Sequence, residues 1–139
     1  MLGWLARREH SRAEVAAKLT RKGCDAALAE KVADALAAQG LLSDERFAEV
    51  LVRSRRHRGY GPVRIRHELK QKGLVPEAIE QYVDIQNNEW IAELERVRRK
   101  KFGDRLPRNY AERAKQMKFL QYRGFTFDQI QRVFESDAD

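Results

Sequence analysis

One short pattern occurs three times in the chain and limits the folds that it can adopt. A leucine is followed by a cation three residues later, then by glycine, then by an apolar residue, at 19–24, 69–74 and 120–125. Successive copies lie 50 and 51 residues apart. Self-similarity at a fixed period of this size indicates stacked units, each too small to bury a core alone.

Helix signals surround each copy of the pattern. Ser11, Ser43 and Thr126 are candidate N-caps, and the first and last of them are followed by a residue that can complete a capping box. Pro62 and Pro76 suit the first position of a helix, and no segment alternates like a β-strand. We therefore predict an all-α fold of tandem three-helix repeats, three units in an elongated, curved helical array. The predicted repeats span residues 1–42, 43–86 and 87–139.

Apolar spacing also predicts which side chains face the core. In the first repeat, Leu2, Leu5 and Ala6 are expected on a helix that starts at Met1 and reaches Glu9. Leu28 is assigned to one apolar face with Val32 and Leu36 because the three lie four residues apart, and isoleucines occupy the position of Leu28 in the other two repeats. Val50 is assigned inward with Phe47 because the two are three residues apart on one predicted helix.

The segment from residue 53 to residue 72 carries the net charge of the whole protein. It holds eight Lys or Arg and one acid, a net charge of +7, which equals the charge of the entire chain. A dense basic patch with tyrosine and glycine in it is typical of proteins that bind polyanions, although charge runs also occur as solvated faces. The predicted binding residues are Arg53, Arg55, Arg56, Arg58, Tyr60, Arg64, Arg66, Lys70 and Lys72. A secondary basic patch comprises Arg98, Arg99, Lys100 and Lys101.

A glycine-rich turn joins the two basic helices of this segment. Gly59 and Gly61 flank Tyr60, and we predict that at least one of the glycines has a positive φ. Such a turn would fix the angle between the helices, so that Arg55, Arg58 and Arg64 face one surface. The alternative is a plain hinge with Tyr60 packed inward.

The chain shows no residue pattern for catalysis or metal binding. His10, His57 and His67 have no partner at metal-ligand spacing. Cys24, the single cysteine, is interpreted as a small core residue and excludes an internal disulfide. No phosphate-binding glycine loop or nucleophile elbow is present. We expect a protein that is not an enzyme and that needs no cofactor and no metal.

Nothing in the chain predicts export or membrane insertion. No apolar run approaches the ~20 residues that cross a bilayer, and the N-terminal stretch lacks the features of a signal peptide. We therefore expect a cytoplasmic protein without membrane contact, and a monomer.

The predicted corners, in which a glycine joins two helices, superficially resemble helix-turn-helix units, whose second helix contacts base edges. The helix predicted after Gly73, PEAIEQYVD, is acidic and would meet phosphates unfavourably. The basic residues lie instead on other helices. This arrangement favours contact with the phosphate backbone or with an acidic protein groove over reading of base sequence.

Three stretches of the chain resemble the RecX family, the bacterial regulators of the RecA recombinase. They are ARREHSRAEV with the KL that follows it, LLSDERFA, and SRRHRGYGPVRIRHELKQKGL. The resemblance covers the whole chain and is weakest between residues 86 and 107. Relative to the family, the first helix has no polar segment before it, and we expect a shortened helix to weaken the core of the first repeat.

The resemblance implies tandem three-helix repeats and a protein that binds the RecA filament along its helical groove. Such a protein suppresses the ATP hydrolysis, strand exchange and coprotease activity of the filament, and thereby modulates DNA repair and the SOS response. A second function stays open from the residues alone: a general module that contacts single- or double-stranded DNA through the phosphate backbone, without sequence specificity.

Overall fold

The computed structural model describes residues 3–136, and every regular element in that range is helical. A 3-10 helix, Gly3–Ala6, precedes eight α-helices. These are α1 (Arg12–Arg21), α2 (Ala26–Ala38), α3 (Asp44–His57), α4 (Pro62–Gln71), α5 (Pro76–Tyr82), α6 (Glu89–Phe102), α7 (Tyr110–Arg123) and α8 (Phe127–Ser136). The prediction of an all-α fold built from three-helix repeats is confirmed.

The predicted caps begin the helices. The Ser11 hydroxyl accepts from the Glu14 N–H at 3.1 Å, and the Glu14 carboxylate accepts from the Ser11 N–H at 3.3 Å. Thr126 and Gln129 form the same reciprocal pair at 3.1 and 2.9 Å. Each box satisfies two backbone N–H groups that the first turn of a helix leaves without partners.

The repeated sequence pattern forms the same backbone corner three times. Gly23, Gly73 and Gly124 have φ of 104°, 91° and 104°. At each corner the residue after glycine donates its N–H to the carbonyl of the leucine five residues earlier, at 3.1 to 3.2 Å. This hydrogen bond requires a left-handed residue at the end of the helix, which glycine adopts without steric cost.

The N-terminus of α1 sits on the glycine corner that ends α4. The Ser11 hydroxyl donates to the Lys72 carbonyl at 2.7 Å. A Cβ atom on Gly73 would lie 2.2 Å from the Ala13 Cβ. The start of one repeat's second helix therefore contacts the corner of the next repeat directly, and a side chain at the corner would separate them.

The same junction recurs 50 residues later in the sequence. The Gly61 N–H, at the N-terminus of α4, donates to the Arg123 carbonyl at 2.7 Å. The Val63 N–H donates to the Gly124 carbonyl at 2.9 Å. A repeated sequence thus gives a repeated contact between consecutive repeats.

The chain divides into two compact units. The first comprises Met1–Arg53 and Glu68–Tyr82, and within it α1 packs against α2. Its central cluster is apolar and buried, and consists of Val15, Ala16, Leu19, Ala29, Ala33 and Leu42. Cys24 is half-buried and packs against this cluster.

The second unit comprises Ser54–His67 and Val83–Asp139. Within it α6 packs against α7 and α8, and these two helices also contact each other. The buried apolar side chains of the three helices are Trp90, Leu94, Val97, Leu120, Ile130, Val133 and Phe134. This unit contains the turn around Tyr60 and the predicted secondary patch.

The first helix differs from its prediction. The described part is a 3-10 helix that ends at Ala6 and does not reach Glu9. Ser11 already caps the next helix, and the four residues between Ala6 and this cap are not helical. The predicted start of this helix at Met1 and Leu2 lies outside the described residues.

Two side chains assigned to the core are exposed instead. Leu28 is 52% exposed and Val50 is 48% exposed. Helix α2 buries Ala29 and Ala33 against its neighbours, which turns Leu28, one residue away, toward solvent. Helix α2 therefore buries alanines next to the position at which the other repeats bury isoleucine, and the four-residue spacing and the equivalence between repeats gave the wrong face for Leu28.

Leu69 offers a direct test of the packing, because its side chain is fully buried in α4. We expect Leu69→Ala to lower the free energy of unfolding by about 2–5 kcal/mol, as a large-to-small change in a core does. Val63→Ala on the same helix is the control, since Val63 is 46% exposed, and it should cost less than about 1 kcal/mol. Urea unfolding followed by circular dichroism measures both, and equal losses would contradict the packing of α4.

Candidate functional site

The predicted binding residues fall in both compact units. Arg53, Lys70 and Lys72 belong to the first unit, and those from residue 55 to residue 66 belong to the second. Of the set, Arg53, Arg58, Arg64 and Lys70 are exposed and the others are half-buried. The residues of the second unit are described first because further basic side chains join them there.

The turn around Tyr60 is held by close backbone contact. Gly59 has φ of 87°, which confirms the prediction that at least one glycine of the turn has a positive φ. A Cβ atom on Gly61 would lie 2.6 Å from the carbonyl carbon and oxygen of Gly124. The turn and the end of α7 therefore meet with no room for a side chain, and this contact places Tyr60 beside Arg123.

Aromatic rings and guanidinium groups alternate across this junction. The Arg64 Cζ atom lies 4.0 Å from the Tyr60 ring centre and 5.8 Å from that of Tyr122. The Arg123 Cζ atom lies 5.2 Å from the ring centres of both Tyr60 and Phe119. Cations this close to a ring face are attracted by its quadrupole. We call the series Phe119, Arg123, Tyr60, Arg64 and Tyr122 the aromatic stack.

A cleft of about 240 Å³ opens beside the aromatic stack, between the ends of α3, α6 and α7. Five cations line it, and its other lining residues are apolar, glycine or histidine, with no carboxylate among them. The five are Arg58, Arg96, Lys100, Lys101 and Arg123. A cleft lined by charges of one sign concentrates its electrostatic field, so this basic cleft attracts anions.

Backbone carbonyls accept hydrogen bonds from two of the cleft cations. The Arg123 guanidinium donates to the Arg58 carbonyl at 3.1 Å, and the Arg96 guanidinium donates to the Arg56 carbonyl at 2.9 Å. Arg96 also donates to the Glu93 carboxylate at 2.9 Å. Arg58 and Lys100 are exposed, and in the part of the chain that the structure describes neither of them has a carboxylate partner. These two side chains can turn toward a ligand.

Arg56 has internal partners in the second unit. Its guanidinium lies 3.4 Å from the Glu93 carboxylate and 3.9 Å from that of Glu89. Its Cζ atom also lies 5.0 Å from the ring centre of Trp90, which is buried. A change at Arg56 would therefore disturb packing as well as surface charge.

Lys72 is part of the first junction. Its ammonium group donates to the Glu14 carboxylate at 3.0 Å, and Arg8 donates to the same carboxylate with two nitrogens at 2.8 and 3.1 Å. Burial by itself would raise the pKa of Glu14, but the hydrogen bonds from Arg8 and Lys72 outweigh it and lower the pKa to about 2. The charge of Lys72 is therefore balanced inside the protein.

The structure removes Arg98 from the predicted secondary patch. Its side chain is fully buried, donates to the Glu95 carboxylate, and donates to the Arg105 carbonyl at 3.0 Å. The helix turns by about 100° per residue, so four successive cations cannot share one face. Lys100 and Lys101 line the basic cleft, whereas Arg99 pairs with Glu95 at 2.8 Å.

Four residues of the site were absent from the sequence prediction. Arg96 and Arg123 line the basic cleft, Phe119 connects it to the aromatic stack, and Tyr122 ends that stack. Arg123 alone had a sequence signal, because it is the residue before glycine in the third copy of the repeat pattern. The equivalence of Arg123 with Lys72 could have identified this corner as the partner of the turn around Tyr60.

Comparison with known proteins gives the family. The model for the first three-helix domain of RecX matches residues 1–36, that for the second matches 43–83, and that for the third matches 88–134. The chain belongs to the RecX family. The regulatory protein RecX of Halorhodospira halophila is 47% identical over 135 residues, which cover 97% of this chain and 83% of that protein.

Other RecX proteins agree with this assignment. The regulatory protein RecX of Pseudomonas entomophila is 44% identical over 129 residues, which cover 93% of this chain and 83% of that protein. The crystal structure of RecX from Lactobacillus salivarius superposes with a TM-score of 0.79 over 97% of this chain and 90% of that one. Its sequence identity is 20%, so it supports the fold. The relatives are named as regulatory proteins.

The side chains of the aromatic stack and the basic cleft are suited to binding a ligand. Across residues 3–136, no group of three or more His, Cys, Asp or Glu side chains is placed to hold a metal ion. Within the same residues, no helix is long and apolar enough to span a membrane. What the second unit does present is a set of guanidinium and ammonium donors beside aromatic rings, which can bind carboxylates, phosphates and flat π-systems.

The close contact at Gly61 is testable because it depends on one missing side chain. We expect Gly61→Ala to lower the free energy of unfolding by about 1–3 kcal/mol, since the new Cβ would push against the Gly124 backbone. Gly3→Ala is the control, because a Cβ on Gly3 has no atom within 4 Å. Urea unfolding measures both, and a Gly61→Ala protein as stable as the Gly3→Ala protein would rule out the contact.

The ion cluster at Glu14 predicts a pH dependence of stability. The pKa of Glu14 is about 2 in the folded protein and near 4.5 in its ordinary state, so the unfolded chain binds more protons between these values and stability falls as pH falls through them. Glu14→Gln should cost about 1–3 kcal/mol at pH 7, and the difference from wild type should shrink toward pH 2. Exposed Glu30→Gln is the control. A difference that is independent of pH in chemical unfolding would contradict this assignment.

Proposed function

We propose that this protein regulates the RecA recombinase by binding the RecA–DNA filament along its helical groove. Bound there, it lowers ATP hydrolysis, strand exchange and coprotease activity of the filament, and so modulates DNA repair and the SOS response. Membership of the RecX family supports the proposal. It acts by binding, without catalysis or a cofactor, as a cytoplasmic monomer.

The observation that carries the proposal is the basic cleft. Five cations line it and no carboxylate does, and two of them, Arg58 and Lys100, are exposed. A nucleoprotein filament offers acidic side chains and phosphates along its length, and each ion pair with them adds a modest, salt-sensitive contribution. The cleft lies within one compact unit, so its cations are positioned together by the packing of that unit.

The alternative is a general nucleic-acid-binding module that contacts the phosphate backbone without sequence specificity. The aromatic stack favours contact with nucleic acid, since aromatic and cationic side chains occur together in such sites. The two functions differ in what they inhibit. A filament regulator acts on RecA-coated DNA, whereas a general module acts equally on any enzyme that needs the same DNA.

Charge reversal in the basic cleft tests the proposal. We expect the double variant Arg58→Glu, Lys100→Glu to inhibit the DNA-dependent ATP hydrolysis of RecA about tenfold or more weakly, because two attractive contacts become repulsive. Arg56 is left unchanged because of its contacts with Glu93 and Trp90. ATP hydrolysis is measured against regulator concentration, at low and at physiological salt.

The matched control is Lys31→Glu, Lys118→Glu, which changes the net charge equally at exposed positions outside the basic segment and the cleft. It should inhibit like wild type, and circular dichroism should show unchanged helicity in both variants. If the cleft variant inhibits as well as the control, the cleft is not the contact surface. If wild type inhibits every DNA-dependent ATPase equally, the general module is the better account.

A further inference from the structure

We propose that the aromatic stack and the basic cleft together form a binding site for single-stranded nucleic acid. An unpaired base stacks on Tyr122 beside Arg64, and phosphates of the same strand lie in the basic cleft. The inference deepens the proposed function, because it assigns a ligand to the same surface. It requires only this chain and the strand.

The two junctions of the fold differ in charge at one equivalent position. Glu14 and Arg64 lie 50 residues apart and hold the same place relative to the repeat pattern. In the first junction Glu14 pairs with Lys72 and with Arg8. In the second, the residue at the place of Glu14 is Arg64, and it shares the Tyr60 ring with Arg123. The second junction thus has a cation where the first has a carboxylate.

The exposed end of the aromatic stack suits a base. Tyr122 is 78% exposed, and the Arg64 guanidinium lies near its ring. An exposed ring next to a planar cation gives a flat surface on which a nucleobase can stack through its π-face. Bases of a duplex are already stacked on their neighbours, so this surface selects unpaired bases.

The other end of the aromatic stack reaches the basic cleft. Phe119 lines the cleft, and Arg123 both lines it and lies over the Tyr60 ring. Lys101 lies 5.6 Å from the Phe119 ring centre. A ligand that spans the site therefore meets a stacking surface and a phosphate-binding surface in one continuous series of contacts.

A single strand uses both surfaces, which an acidic peptide does not. Carboxylates would satisfy Arg58 and Lys100 but would leave the exposed Tyr122 ring without a partner. A strand offers a phosphate and a base in every nucleotide, and aromatic rings beside a basic groove are the usual means of binding such strands. The charge and the exposed ring therefore favour a strand over a peptide.

Binding of the full chain to a labelled oligothymidylate of about 15 nucleotides tests the stacking surface by fluorescence anisotropy. We expect Tyr122→Ala to raise the Kd about fivefold or more, the loss that corresponds to one stacked base. Tyr122→Phe keeps the ring and should bind like wild type. Tyr110→Ala is the matched control, because Tyr110 is 86% exposed on the same helix and lies outside the aromatic stack.

Two ligand controls separate stacking from charge. An oligomer of the same length in which every site is abasic should bind wild type more weakly, and Tyr122→Ala should not weaken it further. A blunt duplex should bind wild type and Tyr122→Ala equally. The proposal is wrong if Tyr122→Ala binds oligothymidylate as well as Tyr110→Ala does, or if the abasic oligomer binds wild type equally well.

Arg64→Glu tests the charge of the junction. It recreates the acid that Glu14 provides in the first junction, so we expect a protein at least as stable as wild type that binds oligothymidylate about tenfold or more weakly. Lys118→Glu, with the same change in charge, should bind within about threefold of wild type. Equal binding by the two variants would exclude the second junction as the site.

The outcome separates this inference from the proposed function. If Tyr122→Ala loses oligonucleotide binding but still inhibits RecA fully, the strand binds the aromatic stack, and this binding is not needed for the inhibition of RecA. Unchanged oligonucleotide binding in Tyr122→Ala with weaker inhibition of RecA would assign Tyr122 to a protein contact and overturn the inference. If the wild-type protein binds the oligonucleotide but does not inhibit RecA, the binding site for single strands is supported and the proposed regulation of the RecA filament is wrong.

Discussion

The seating of a helix N-terminus on a glycine corner is the contact on which the rest of the structure depends. Two backbones can approach this closely only where no side chain stands between them. A Cβ on Gly73 would lie 2.2 Å from the Ala13 Cβ, and one on Gly124 would lie 2.6 Å from the Arg64 Cβ. At each junction a donor at the helix N-terminus reaches the carbonyl before the glycine, at 2.7 Å in both cases. Gly73 and Gly124 therefore each end one helix and also contact the start of another.

The two junctions share one backbone geometry but differ in the charges that they bring together. In the first junction the Glu14 carboxylate pairs with both Arg8 and Lys72. The second has Arg64 in place of that acid; Arg64 and Arg123 both contact the Tyr60 ring, and Arg123 also donates to the Arg58 carbonyl. Neutral acceptors and π-faces fix the position of a guanidinium without cancelling its charge. A functional surface can thus arise from a structural junction by one change of sign.

Much of the fold could be predicted from local sequence, because caps, glycine corners and the repeat period are short-range signals. The capping boxes at Ser11 and Thr126 and the positive φ of Gly59 follow from a few neighbouring residues. The buried face of each helix was harder to predict from the sequence. Leu28 is exposed because its helix packs through alanines, and this choice depends on the neighbouring helix and not on the repeat.

The candidate site was predicted from a run of basic residues in the sequence. The structure shows which of these residues have partners within the protein and which are exposed. Arg56 and Lys72 pair with acids distant in sequence, and Arg98 is buried. Arg96 and Arg123, which line the cleft, lie 40 and 65 residues beyond the residues whose carbonyls they bind, and Arg96 also shares the Glu93 carboxylate with Arg56. A count of charges in a window cannot distinguish a cation that is neutralised in the fold from one that is held beside a ring. To make that distinction, the contact partners of each cation in the folded protein must be known.

Five cations around one cleft repel one another, and this repulsion links the stability of the second unit to what it binds. An anion that enters the basic cleft relieves the repulsion and binds only the folded state, so it stabilises the unit by mass action. Conversely, an acid placed among these cations would gain ion pairs inside the protein and remove the attraction for a ligand. Glu14 and Arg64 show the two arrangements within one chain, at equivalent positions of the two junctions. Glu14 gives Lys72 a carboxylate partner, whereas Arg64 adds a second positive charge beside the Tyr60 ring that Arg123 also contacts.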